Sequence, residues 1–116
     1  RLIDKRDILA NELSHGQRQW LEIGLLIGNN AKLLLLDEPT AGMTSEETYA
    51  TTKLINQLSS EKNLSAIVIE HDINFVRDLG AKITVLHLGK VFTEGNYNQI
   101  EKNKKVREIY LGKADA

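Results

Sequence analysis

Cysteine is absent from the 116 residues, which removes disulfides, thiolate metal sites and thiol nucleophiles at once and is compatible with a reducing compartment. Long apolar runs are missing too. No run exceeds the four leucines at positions 33–36, far below the roughly 20 residues of a membrane-spanning helix, and no N-terminal stretch has the charged-then-apolar form of a signal peptide. Neither sign of charge dominates: 15 Lys and Arg stand against 16 Asp and Glu, a formal net charge of -1. This excludes a global electrostatic drive toward nucleic acid or anionic lipid, though not a local patch. Methionine occurs once, at Met43, while the first residue is Arg1, so the expectation is a piece of a longer chain. What is present is ordinary: 41% hydrophobic and 27% charged residues, a composition that suits a folded domain and not a disordered or collagen-like one.

Periodicity gives an α/β order. Ser14 precedes Gln17 at capping-box spacing and opens a helix through Trp20, Leu21, Ile23, Leu25, Leu26 and Ile27, apolar over most of its circumference, that stops near Gly28, Asn29 and Asn30. Residues 32–37 read as a short strand without polar alternation, the pattern of a strand covered on both faces in a parallel sheet. Pro39 ends it. Thr44 and Glu47 repeat the capping-box spacing before a second helix through Ala50, Leu54, Ile55 and Leu58. Residues 65–70 form another apolar strand, and Asp72 caps a short helix through Phe75, Val76 and Leu79. Residues 82–88 and 91–93 then flank a hairpin turn at Gly89-Lys90. The order predicts parallel strands joined by helical crossovers, an antiparallel hairpin and C-terminal helices, divided as residues 1–95 and a helical tail at 96–116 whose apolar stripe is Val106, Ile109 and Tyr110.

Three places carry candidate chemistry. Leu13-Ser14-His15-Gly16-Gln17 puts a hydroxyl and a glycine where a helix presents free N–H groups and the positive end of its dipole, a place that suits an anion. The same residues also fit a capped core helix. Asp37 and Glu38 stand at the C-terminal end of an apolar strand, where open α/β sheets place ligands. On an extended strand the two carboxylates point in different directions, one toward a metal ion and the other toward a reacting water. A polar strand end entering a turn is the alternative. His71 follows a second apolar strand, where an imidazole either donates to a phosphate and orients water or simply links two elements in solvent.

Taken in this order and at these intervals, the Ser14 motif, residues 33–39 and His71 closely resemble the signature motif, Walker B strand and switch histidine of ATP-binding cassette ATPases, over most of the chain. His15, Trp20, Ala41-Gly42-Met43-Thr44 and Val106-Arg107-Glu108-Ile109-Tyr110-Leu111-Gly112 are similar to the importer branch for branched-chain amino acids and urea, with the urea-type subunit the closest resemblance. The resemblance implies a P-loop NTPase fold and two ATP-binding subunits paired head to tail. It implies that Ser14, His15, Gly16 and Gln17 contact ATP in trans, that Asp37 holds Mg2+, that Glu38 polarises the attacking water and that His71 senses the γ-phosphate. It also implies membrane-spanning permease partners, an extracytoplasmic solute-binding protein acting indirectly, no nucleic acid, and a place on the cytoplasmic face of the cell membrane.

The chain departs from the family pattern in three respects. Met43 and Thr44 occupy a loop that usually carries an aspartate, His15 replaces a glycine, and no Gly-x-x-x-x-Gly-Lys-Ser/Thr occurs. The last suggests the C-terminal portion of a subunit roughly twice as long, inactive alone, with the apolar strand at 33–36 left open to self-association. A regulatory or binding fragment, or a DNA-repair or chromosome-maintenance ATPase, are the competing readings.

Overall fold

The computed structural model describes residues 2–61 and 63–111. These fall into two compact units, Arg1–Phe75 and Val76–Ala116.

In the first unit, α1 (His15–Gly28) starts where expected. The Ser14 side chain accepts from the Gln17 N–H, and the Gln17 side chain accepts from the Ser14 N–H, so two backbone donors that no helix turn can satisfy are satisfied reciprocally. Strand β1 (Leu33–Asp37), helix α2 (Ser45–Glu61) and strand β2 (Ser65–Ile69) follow, and α2 has its own capping box, made by Thr44 and Glu47. The strands pair in parallel, from Leu33 opposite Ser65 to Asp37 opposite Ile69. One face of this two-stranded sheet packs on the helices: Ile23, Leu34, Leu58 and Leu64 form the core, with Ile27, Leu36 and Leu54 against it.

The other face is not covered among the described residues. Leu33, Leu35, Ile67 and Ile69 are all at least half exposed, so the expected burial of β1 on both faces does not hold for this chain. Nor is α1 buried around its whole circumference: Leu25 and Leu26 face outward. The apolar run of β1 records two covered faces, but one α1–α2 layer covers one.

A buried polar joint ties α1 to α2. Trp20 Nε1 donates to Thr51 Oγ1 at 2.8 Å, and that hydroxyl donates to the Glu47 carbonyl at 2.7 Å, with Met43 Sδ 3.2 Å away. Thr51 is fully buried, and a satisfied hydroxyl is what makes that placement tolerable.

Helix α3 (Ile73–Leu79) is capped by Asp72, whose Oδ1 accepts from the Asn74 and Phe75 N–H groups. In the second unit, β3 (Ile83–His87) and β4 (Lys90–Gly95) form the antiparallel hairpin. Its turn is Leu88-Gly89, one residue earlier than expected, because these two carry the positive φ values, 50° and 76°, that a two-residue turn of matching twist requires. Lys82 at 3.2 Å and Thr84 at 3.1 Å hold the Glu94 carboxyl below its usual range. Helices α4 (Tyr97–Glu101) and α5 (Lys104–Val106) and a π-type turn, Arg107–Leu111, complete the described chain. Val106 and Ile100 pack on Val85, and the Tyr110 hydroxyl donates to the Leu86 carbonyl, so the tail docks on the hairpin. Gly112, the last residue of the importer-like run, and the rest of the tail lie outside the described residues.

Because Leu34 is 2% exposed and Leu35 69%, Leu34→Ala is expected to lower unfolding stability in urea by about 2–5 kcal/mol. Leu35→Ala should change it by no more than about 0.5 kcal/mol.

Candidate functional site

Parallel pairing delivers the ends of β1 and β2 to the same edge. The Glu38 N–H donates to the Ile69 carbonyl at 2.8 Å, one step past the last strand pair, and the chain then turns sharply. Glu38 has φ 47°, a left-handed conformation that costs a non-glycine residue energy and that marks functional sites when the surroundings enforce it. The direction of its side chain therefore follows from this bend and not from strand alternation. Glu38 Oε1 lies 3.0 Å from His71 Nδ1. Both side chains are well exposed, and Asp37 is the exposed last residue of β1. All three residues lie at the C-terminal edge of the sheet, where Glu38 and His71 are in contact. A cleft of about 170 Å³ lined by Asp37, Pro39, Gln19, Glu22 and Leu35 opens beside Asp37.

Two side chains that sequence reasoning did not place in the site hold this edge together. Thr40, 7% exposed, donates its N–H and its hydroxyl to Glu70 Oε1. Glu70 Oε2 accepts from the N–H groups of His71 and Asp72. A charged residue ending an apolar strand directly before His71 was the available signal, since it repeats what Asp37 and Glu38 do at the end of β1.

The Ser14 motif occupies a separate place in the same unit. Ser14 Oγ is 3.5 Å from Glu47 Oε1. A Cβ on Gly16 would stand 2.6 Å from Glu47 Oε2, so glycine here admits the carboxylate of α2 against the start of α1. The His15 ring lies over Gly42, with its Cδ2 3.1 Å from where a Cβ on that residue would stand. Gly42 has φ 73°. The histidine that replaces a glycine in the motif thus packs on the loop at residues 41–44, a contact invisible to spacing alone. Gln17 is committed to the cap of α1.

Residues 1–41, which take in the Ser14 motif, β1 and Glu38, match the model of the ABC transporter family. The high-affinity branched-chain amino acid transport ATP-binding protein BraF of Pseudomonas aeruginosa is 37% identical over 90% of this chain and 41% of its own length. LivG of Escherichia coli, of the same description, is 33% identical over 97% of this chain and 44% of its own. A nucleotide-free ATP-binding cassette from an ABC transporter superimposes with a TM-score of 0.87 at 28% identity, over 97% of this chain and 46% of that one. The chain belongs to the ATP-binding cassette family. It spans less than half the length of the curated relatives it matches. Within the family fold, an α/β P-loop NTPase arrangement, the sites expected from the sequence fall into two groups: Asp37, Glu38 and His71 at the sheet edge, and Ser14, His15, Gly16 and Gln17 at the start of α1.

The two glycines make opposite demands. Gly42→Ala combines a left-handed backbone with a close His15 ring and is expected to destabilise by about 1–2 kcal/mol. Gly16→Ala gains helix propensity but displaces the Glu47 carboxylate that caps α2 through the Thr44 N–H, so the two effects offset and its change in urea-unfolding stability should stay within about 1 kcal/mol.

Proposed function

We propose that this chain forms the hydrolytic edge and the signature segment of an ATP-hydrolysing importer subunit. The observation that carries the reading is the 3.0 Å contact between Glu38 Oε1 and His71 Nδ1 at the C-terminal ends of two parallel strands. There Glu38 acts as the base that polarises the attacking water, and His71 orients the same water and donates to the terminal phosphate. Asp37 holds Mg2+. Among the described residues no three acidic or imidazole groups gather into a protein-only metal cage, and one strand-end carboxylate suits Mg2+, which keeps waters and phosphate oxygens as its other ligands. The ion, when bound, neutralises charge on the phosphate oxygens. Ser14 Oγ and the backbone at His15 and Gly16 offer donors at the start of α1 to ATP held by a second ATP-binding subunit in a head-to-tail pair, with Gln17 holding that helix start in shape.

The subunit works on the cytoplasmic face of the membrane with permease subunits, and a solute-binding protein acts on it indirectly. Among the described residues no helix is long and apolar enough to cross a membrane, which suits a peripheral role. BraF and LivG are described as branched-chain amino acid transport proteins, so the solute we favour is a branched-chain amino acid. The similarity to urea-type subunits has no such support.

In the complete importer assembly, Glu38→Gln is expected to lower ATP turnover about 10²–10⁴-fold while nucleotide still binds, and to abolish leucine uptake. Uptake of urea but not leucine by the unsubstituted assembly would refute the solute assignment. The 116 residues carry no Gly-x-x-x-x-Gly-Lys-Ser/Thr, so alone they should not turn over ATP. Magnesium-dependent hydrolysis by the purified chain, unchanged by Glu38→Gln, would contradict this.

A further inference from the structure

One carboxylate joins the two turns that carry the proposed hydrolytic pair. Glu70 Oε1 accepts from the Thr40 N–H at 3.0 Å and from the Thr40 hydroxyl at 2.5 Å; Oε2 accepts from the His71 N–H at 3.2 Å and the Asp72 N–H at 3.4 Å. Thr40 sits in the turn that leaves β1, two residues past Glu38, and His71 and Asp72 sit in the turn that leaves β2. Neither member of the pair is fixed by packing, since the Glu38 side chain is 51% exposed and that of His71 77%. Their separation is therefore set by where the two backbones are held. Glu38 adds a further requirement, because its left-handed conformation persists only where neighbouring structure enforces it.

We infer that Glu70 is a positioning residue for Glu38 and His71: its two oxygens fasten the β1 turn to the β2 turn and so set the distance between base and imidazole. The inference rests on the hydrolytic reading above. The chemistry calls for a carboxylate and not merely a polar side chain. Three of the four bonds come from backbone N–H groups, which can only donate and of which each oxygen takes at least one, so an amide would turn one of the two acceptors into a donor aimed at such an N–H. Thr40 supplies two of the four bonds, so its hydroxyl belongs to the same clamp. The bonds of Glu70 go to Thr40, His71 and Asp72, so its effect should fall on the chemical step.

In the complete assembly, Glu70→Gln is expected to lower kcat about 10–100-fold with KM for ATP changed less than about twofold. Thr40→Val should lower kcat in the same way and add little to Glu70→Gln, as expected of two residues in one network. Thr40→Ser, which keeps the hydroxyl, should stay near wild type. Amide hydrogen exchange at Thr40, His71 and Asp72 should quicken in Glu70→Gln under conditions where its unfolding curve shows it folded. A wild-type kcat in folded Glu70→Gln, in an assembly that Glu38→Gln inactivates, would overturn the clamp. So would unchanged exchange at the three amides, or a loss of turnover that only tracks the unfolded fraction. Normal turnover in Glu38→Gln would instead remove the hydrolytic reading, and with it the kinetic role of Glu70, while exchange still reports separately on whether the carboxylate holds the two turns.

Discussion

Parallel hydrogen bonding between β1 and β2 is the constraint from which the rest of the first unit follows. Parallel strands cannot be joined by a tight turn, so α2 must cross over between them, and its apolar side, with Ile55 and Leu58 buried, closes the core against Leu34 and Ile23. The same pairing places both strand ends on one edge. Glu38, the residue after β1, and His71, in the turn after β2, then come within 3.0 Å of each other, although 33 positions separate them.

At that edge the chain gives up regular structure for geometry. Glu38 keeps one ladder bond, to Ile69, and then turns left-handed. Two further backbone bonds, Ala41 N–H to the Glu38 carbonyl and Met43 N–H to the Thr40 carbonyl, carry the turn on toward α2. A glutamate in this conformation would be unfavourable in an ordinary loop. Here the partners on both sides are numerous enough to hold it, and the exposed side chain is left free for chemistry.

Much of this was legible in the residues. Capping boxes at Ser14 and Thr44 and the Asp72 cap form where their spacing predicts, because each is a local device whose hydrogen bonds close within two or three residues, and the apolar strands form where their unbroken runs mark them. What escaped was non-local or depended on φ. The Leu88-Gly89 turn displaces the expected Gly89-Lys90 because a leucine takes positive φ, which composition does not announce. The His15 ring over Gly42 and the Glu47 carboxylate beside Ser14 join residues far apart in sequence. Burial of β1 on both faces was a sound inference from four leucines, yet among the described residues a helical layer covers one face.

The Trp20–Thr51 hydrogen bond has an optical consequence. Trp20 is the only tryptophan in the sequence, half-buried at the α1–α2 joint, so the intrinsic indole emission of these residues originates at a single site. A change in its wavelength would register movement of α1 against α2, and with it any shift of the helix start that bears Ser14, without an added label.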